Sequence, residues 1–483
     1  VAENLAQLLA ARAAERPDLR IGTVDRQLTL AGALRTAAGG ARLLRLRLLG
    51  DGDRVAIVAG NSTEYLVVWM ACLLAGAPVA LVNPTYPGEL LGQMLDTLDP
   101  ALVFTDLADR GFAGDRAVLP LTAAPLWTDR DPAGSPGMTA DRFGIASFMH
   151  TSGTTGVPKF CAQTHSYFLR LGTAIAEALD LTSADRMLAP LPLFHINPLG
   201  YGIVGALTAG ADALTITRFS ASGFWPDVRR YGVTALSLHA PPVEILKRTT
   251  STVDASGHRV RTMFYADAEF VSRYRIPLAV SGYGSTEAAG VSHLYRWRLG
   301  DELPVDASRY GGAPRCDVED RIDASGQILV RERVPGTLFA GYYAGGALNP
   351  ATDPDGWFAT GDLGRRDGTG GLVFLERAAE SIRVKGEFVP IPYVEQHLGT
   401  IAELADLALW KVPGELVDDE TVLYVVADKV PVEAIRAAAA ALPAYMRPSK
   451  VAQVRAIPRD AAAGKVQRRL LPEQEVVSWS SLA

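Results

Sequence analysis

Cysteine is scarce. The 483-residue chain has three, Cys72, Cys161 and Cys316. They are far apart and form no Cys-x-x-Cys pair, which argues against a disulfide framework or a zinc knuckle and suits reduced, cytosolic thiols. Blocks of one charge are also missing. With a net charge of -6 and no Lys/Arg run, no nucleic-acid partner is expected. Arg42, Arg45 and Arg47 are interleaved by Leu43, Leu44, Leu46 and Leu48, a pattern of an amphipathic helix whose arginines snorkel outward. Long apolar runs are absent too. Residues 66–82 are the one long uncharged stretch, and Gly76 and Pro78 split it into a helix and a strand, so no membrane span is expected. Residues 3–15 read as a polar-studded helix without an apolar signal core, and a cytoplasmic location follows as the expectation.

What is present is the composition of a globular enzyme, 48% hydrophobic and 21% charged, in a chain long enough for two or more domains. Early in the chain, strands (54–59, 78–81, 102–105) alternate with helices (64–75, 90–98). This predicts an α/β fold with a mostly parallel sheet covered on both faces by helices. Asn61-Ser62 caps the helix that ends at Gly76, and Thr164 caps another whose stripe is Phe168, Leu171, Ile175 and Leu179. The C-terminal part reads as a small α+β unit with helices at 389–398 and 432–442 and strands at 405–411, 421–426 and 451–455. Residues 1–378 are therefore expected to form a large core and 379–483 a small mobile domain.

The chemistry centres on His150-Thr151-Ser152-Gly153-Thr154-Thr155-Gly156-Val157-Pro158-Lys159. Glycines that accept positive φ turn backbone N–H groups into one concavity, while the hydroxyls add donors and Lys159 a charge. Such a loop suits a polyphosphate. It is not a Walker loop, because Val157-Pro158 separates the second glycine from the lysine. Further on, Ser281-Gly282-Tyr283-Gly284-Ser285-Thr286-Glu287 offers glycines for close backbone approach, an aromatic face for a flat base, a hydroxyl for phosphate and a hard oxygen ligand suited to Mg²⁺. In Thr360-Gly361-Asp362, the aspartate has acceptors for both hydroxyls of a cis-diol.

Together these stretches resemble, in order, the motifs of the acyl-adenylate-forming superfamily of acyl-CoA synthetases, adenylation domains, luciferases and amide-forming synthetases. The resemblance spans residues 50–470. It implies ATP binding by Thr151, Ser152, Gly153, Thr154, Thr155, Gly156, Lys159, Tyr283, Gly284, Thr286, Asp362 and Arg377, with Glu287 on Mg²⁺. It implies catalytic roles for Lys465, in the Gly464-Lys465 turn, for His195, at the family's gating position, and for Glu287. It also implies an acyl pocket at Asn197, Gly200, His239, Ala240, Ala266, Asp267, Ala268 and Gly282. Most of these are small, so a bulky, aromatic carboxylic acid is the expected substrate. Phe194-His195 stands where amino-acid-activating relatives carry Phe-Asp.

The implied reaction forms an acyl-adenylate with release of pyrophosphate. The small domain then swings about residue 379, presents Lys385 and Gly386, and an acceptor displaces AMP. Coenzyme A is the first expected acceptor, with an amine or a carrier-protein thiol left open and Asp267 a candidate base for an amine. A luciferase-like oxygenase would share the first step, and a nucleotide-sensing module would lack Lys465 or Glu287. The protein is expected to be a monomer or homodimer. It departs from the family at Phe160, expected to add bulk beside the site, at Ala379, where a charged hinge residue is usual, and in a short β region at 311–343. Ala266-Asp267-Ala268 also replaces the usual Gly-Gly-Ala.

Overall fold

The computed structural model describes residues 2–50, 52–151, 157–265, 267–304, 307–377, 382–384, 387–413, 419–459 and 466–482. The chain divides into two compact units. One comprises Val1–Pro84, Leu91–His150 and Phe160–Ala378, and the other Thr85–Leu90, Thr151–Lys159 and Ala379–Ala483.

The larger unit is built on two sheets. In the eight-stranded sheet, Val55–Val58 lies between the parallel strands Val79–Val82 and Leu102–Thr105. Every residue of these three strands is buried, which is why they read as continuous apolar runs rather than alternating ones. The helix Thr63–Ala75 is buried along its whole length. Its start is fixed by the Ser62 hydroxyl accepting from Tyr65 N–H, and its end by Gly76 at φ 68°. The Thr164 hydroxyl likewise accepts from Tyr167 N–H to open His165–Ala178.

The thirteen-stranded sheet is mixed. Its parallel part runs through Leu278–Tyr283, Thr262–Phe264, Ala235–Ser237, Arg186–Ala189 and Asp212–Thr215. Beyond Leu278–Tyr283 the strands turn antiparallel, through His293–Arg298, Tyr310–Pro314, Leu372–Arg377 and Phe358–Arg366. The α/β expectation thus holds for a parallel centre with an antiparallel flank. The carboxyl ends of Ala235–Ser237, Thr262–Phe264 and Leu278–Tyr283 are neighbours, and in open α/β sheets this edge is where ligands bind.

In the smaller unit, Asp406–Pro413, Asp419–Val426, Lys450–Val454 and Val476–Ser481 form a four-stranded sheet, with helices Ile391–Leu398 and Val432–Ala440. Among the described residues no helix is long and apolar enough to cross a membrane.

Candidate active site

Tyr283 ends the last parallel strand, directly opposite His293 of the next one. Its ring is buried, stacked on Phe374 at 6.0 Å and 24° and edge-on to His293 at 5.7 Å. Its hydroxyl donates to Asp362 Oδ2 at 2.7 Å. Asp362 is buried on Phe358–Arg366, in antiparallel register with Arg377. Thr360 Oγ1 fixes it locally, accepting from Asp362 N–H at 3.1 Å and donating to Ile328 O at 2.7 Å. The structure thus brings Tyr283, Asp362 and the Arg377 backbone together from three segments of chain.

Gly282 and Gly284 have a reason of their own. A Cβ on Gly282 would lie 2.5 Å from His293 O, and one on Gly284 2.4 Å from Gly290 O. The neighbour that demands glycine here is the protein's own returning backbone.

Glu287 sits on the loop that follows, half-buried. Tyr342 Oη donates to its Oε1 at 3.2 Å, and Phe339 N–H to its carbonyl at 3.3 Å. Thr286 O accepts from Tyr167 Oη at 2.9 Å. Among the described residues no group of three or more His, Cys, Asp or Glu could hold a metal ion. A single carboxylate still fits Mg²⁺, which retains waters and takes its other ligands from nucleotide phosphates.

His195 follows a segment pinned by Asn61, whose Oδ1 accepts from Leu193 N–H at 2.8 Å and whose amide donates to Leu191 O at 2.8 Å. Its ring packs on Phe194 at 4.6 Å and lies 6.4 Å from the ring of His150. His150 is buried, with Nε2 accepting from Asn83 N–H at 3.2 Å. Burial first, and the neighbouring His195 second, push its pKa from 6.5 down to about 3. The folded chain therefore refuses a proton that the unfolded chain accepts as pH falls below 6.5. The resulting stability is complete above that value and is lost progressively towards pH 3. Between pH 7 and pH 5 this imidazole should cost the fold about 2 kcal/mol. His150→Gln, which keeps an acceptor for Asn83, should remove that part of the acid sensitivity in urea unfolding at the two pH values. An equal drop in both chains would overturn it.

The remaining pocket positions divide. Asn197 is engaged by protein, donating to Leu238 O at 3.1 Å and accepting from Ser237 Oγ at 2.8 Å. It opens the π-helical segment Asn197–Val204. At Gly200 a Cβ would meet Leu171 Cδ2 at 2.7 Å, so the residue lets helix His165–Ala178 approach. His239 and Ala240 are half-buried at the start of helix Ala240–Thr249. Asp267 is the N-cap of Ala268–Tyr274, its Oδ1 accepting from Phe270 N–H at 2.7 Å, and Ala268 is exposed. Asp267 Oδ2 pairs with Lys247 Nζ at 3.1 Å. Burial works against the Lys247 charge, but Glu244, Asp267 and Glu269 outweigh it and raise the lysine above its usual pKa.

Thr151 is buried at the end of strand Ile145–Thr151, and Lys159 opens strand Lys159–Thr164. Phe160 is a correction. It is fully buried, edge-on to Phe148 at 6.4 Å and in register with Tyr343, so strand alternation turns its bulk into the core. Ser152, Gly153, Thr154, Thr155, Gly156, Ala266, Ala379, Lys385, Gly386 and Lys465 lie outside the described residues, as does the side chain of Arg377.

Comparison with known proteins meets this geometry directly, since the model of the AMP-binding enzyme family matches residues 9–343. The chain belongs to that family. It is an enzyme of the AMP-forming, acyl-adenylate-forming kind. It is 30% identical to sulfoacetate–CoA ligase of Cupriavidus necator, over 97% of each chain. It is 26% identical to 4-coumarate–CoA ligase 2 of Oryza sativa subsp. japonica, over 95% of this chain and 90% of the other. Among solved structures, o-succinylbenzoate CoA synthetase from Bacillus subtilis, a double mutant bound with a product analogue, superposes with a TM-score of 0.84. That match covers 97% of this chain and 98% of the other at 23% identity.

The tyrosines that brace the site, Tyr167, Tyr201 and Tyr342, escape sequence reasoning because an aromatic in an apolar stripe reads as core. Asp267 did carry a usable signal, an aspartate directly before a helix.

Proposed function

We propose that the protein is an ATP-dependent ligase that activates a bulky, aromatic carboxylic acid as acyl-AMP and transfers the acyl group to coenzyme A. The observation that carries the adenylation half is the convergence of Tyr283 and Asp362, with Glu287 four residues further along the same turn. In this reading the Tyr283 ring lies against adenine and Asp362 takes the ribose hydroxyls. The family resemblance assigns the phosphates to Thr151, Lys159 and the residues between them in sequence. Mg²⁺ on Glu287, when bound, supplies charge neutralisation for the phosphates. A substrate carboxylate oxygen bonds to the α-phosphorus as the bond to pyrophosphate breaks. The CoA sulfur then bonds to the acyl carbon as AMP leaves, the thiol proton passing to water. Catalysis is largely positioning and electrostatic stabilisation.

The names of the relatives support CoA as acceptor: the curated ones are called CoA ligases. Asp267, the candidate base for an amine acceptor, has both oxygens engaged by a helix cap and Lys247. The aromatic preference is supported by the 4-coumarate and o-succinylbenzoate enzymes.

The test is mass spectrometry of products from ATP, Mg²⁺ and a panel of aryl, fused-ring and short-chain acids, with CoA and with amines supplied. Acyl-CoA from the aryl or fused-ring acids is expected. Amides in place of thioesters would overturn the acceptor, and faster turnover of acetate or propionate would overturn the substrate class.

A further inference from the structure

Twenty-five residues after Gly290, a charged pair lies in the core. Arg315 and Asp317 are 3% and 10% exposed at their side chains. Arg315 Nε donates to Asp317 Oδ1 at 3.0 Å and Nη2 to Oδ2 at 2.7 Å. The remaining nitrogen, Nη1, donates to Ala289 O at 3.0 Å and to Val291 O at 2.9 Å. Thr337 Oγ1 donates to Asp317 Oδ2 at 3.4 Å, and Arg315 N–H to Ser292 O at 2.8 Å.

The carbonyls held in this way close the loop that carries Glu287. That closure is conformationally demanding, since Ala289 and Gly290 both have positive φ, 61° and 72°. Alanine rarely adopts this conformation without outside restraint. The carbonyl between the two that Arg315 holds, Gly290 O, accepts from Tyr201 Oη at 2.8 Å.

We infer that Arg315, oriented by Asp317, is a positioning residue that clamps the 285–291 turn and so sets where the Glu287 carboxylate stands. An apolar pair of equal volume would serve stability as well as a buried ion pair does. It could not hold two carbonyls, whereas the planar guanidinium fork reaches carboxylate and carbonyls at once. A lysine has one nitrogen and cannot span all four acceptors. The inference rests on the reading of Glu287 as the residue toward Mg²⁺, and the test separates the two.

Arg315→Lys and Arg315→Met are made in the full chain beside Glu287→Gln. Two quantities are read: amide hydrogen exchange across 285–291, and the Mg²⁺ concentration that half-saturates ATP binding measured by calorimetry without the acid. The amides of Ala288 and Gly290, both bonded to Ser285 O, report the turn itself. In Arg315→Lys they should exchange about tenfold faster, and half-saturating Mg²⁺ should rise about tenfold, the loss of one charged hydrogen bond. The KM for the acid in pyrophosphate exchange should stay within about twofold, as expected when only the metal side of the site loosens. Arg315→Met should exceed both effects; if it does not fold, Arg315→Lys decides. Unchanged exchange at these two amides overturns the inference, whatever happens to the melting temperature. Faster exchange with unchanged Mg²⁺ dependence also overturns it, provided Glu287→Gln does shift that dependence. If Glu287→Gln does not shift it either, the role of Glu287 fails while the clamp on the turn stands.

Discussion

Asp362→Ala is expected to lower kcat/KM for ATP by about a hundredfold to ten-thousandfold, from two lost charge-assisted hydrogen bonds at about 1.5–3 kcal/mol each. The carboxylate is buried, and one of its oxygens accepts from Tyr283 at 2.7 Å. In the proposed complex it also meets the ribose hydroxyls. Its backbone is fixed independently by Thr360 and by strand pairing with Arg377, so truncating the side chain leaves the strand in place. The loss should therefore appear in the ATP term, with the KM for the carboxylic acid little changed. Tyr283→Phe separates the two partners. It removes the hydroxyl but keeps the ring on Phe374, and should cost about tenfold, the value of one charged bond. A loss for Asp362→Ala no greater than that for Tyr283→Phe would mean that the carboxylate serves only its tyrosine.

How much of this was legible in the sequence depends on whether the cause was local. Ser62 and Thr164 each cap a helix start and Gly76 ends one, all through neighbours within a turn, and all are readable. The parallel strands between 55 and 105 are readable too, since full burial forces unbroken apolar runs. The antiparallel flank is not. Tyr310 pairs with Val373, and nothing in either strand's alternation names a partner so distant in the chain. The site divides in the same way. Tyr283, Glu287 and Asp362 stand in compact motifs, but what holds them does not. Arg315 reads as one more surface arginine until its four contacts are seen. Phe160 went wrong for a related reason: proximity to Lys159 suggested the site, whereas the two-residue period of a strand sends adjacent side chains to opposite faces.

Lys465→Ala is expected to separate the two half-reactions. Lys465 follows Gly464 in a stretch that resembles the family's catalytic-lysine motif, and the expectation rests on what each step demands. In the first, negative charge accumulates between the attacking carboxylate and the α-phosphate while pyrophosphate leaves. A cation placed there stabilises the transition state more than the ground state. Removing a preorganised donor of this kind costs about 3–4 kcal/mol, or roughly a hundredfold to a thousandfold in rate. In the second step the acyl carbon is already activated and AMP is the leaving group, so no new charge arises that needs this lysine. ATP–pyrophosphate exchange should therefore fall by about a thousandfold. Thioester formation from supplied acyl-adenylate and CoA should stay within about fivefold of the parent chain, as expected for a group acting in one transition state only. Equal losses in both assays would make Lys465 a general anchor for the nucleotide. Exchange that survives the substitution would remove it from the chemistry altogether.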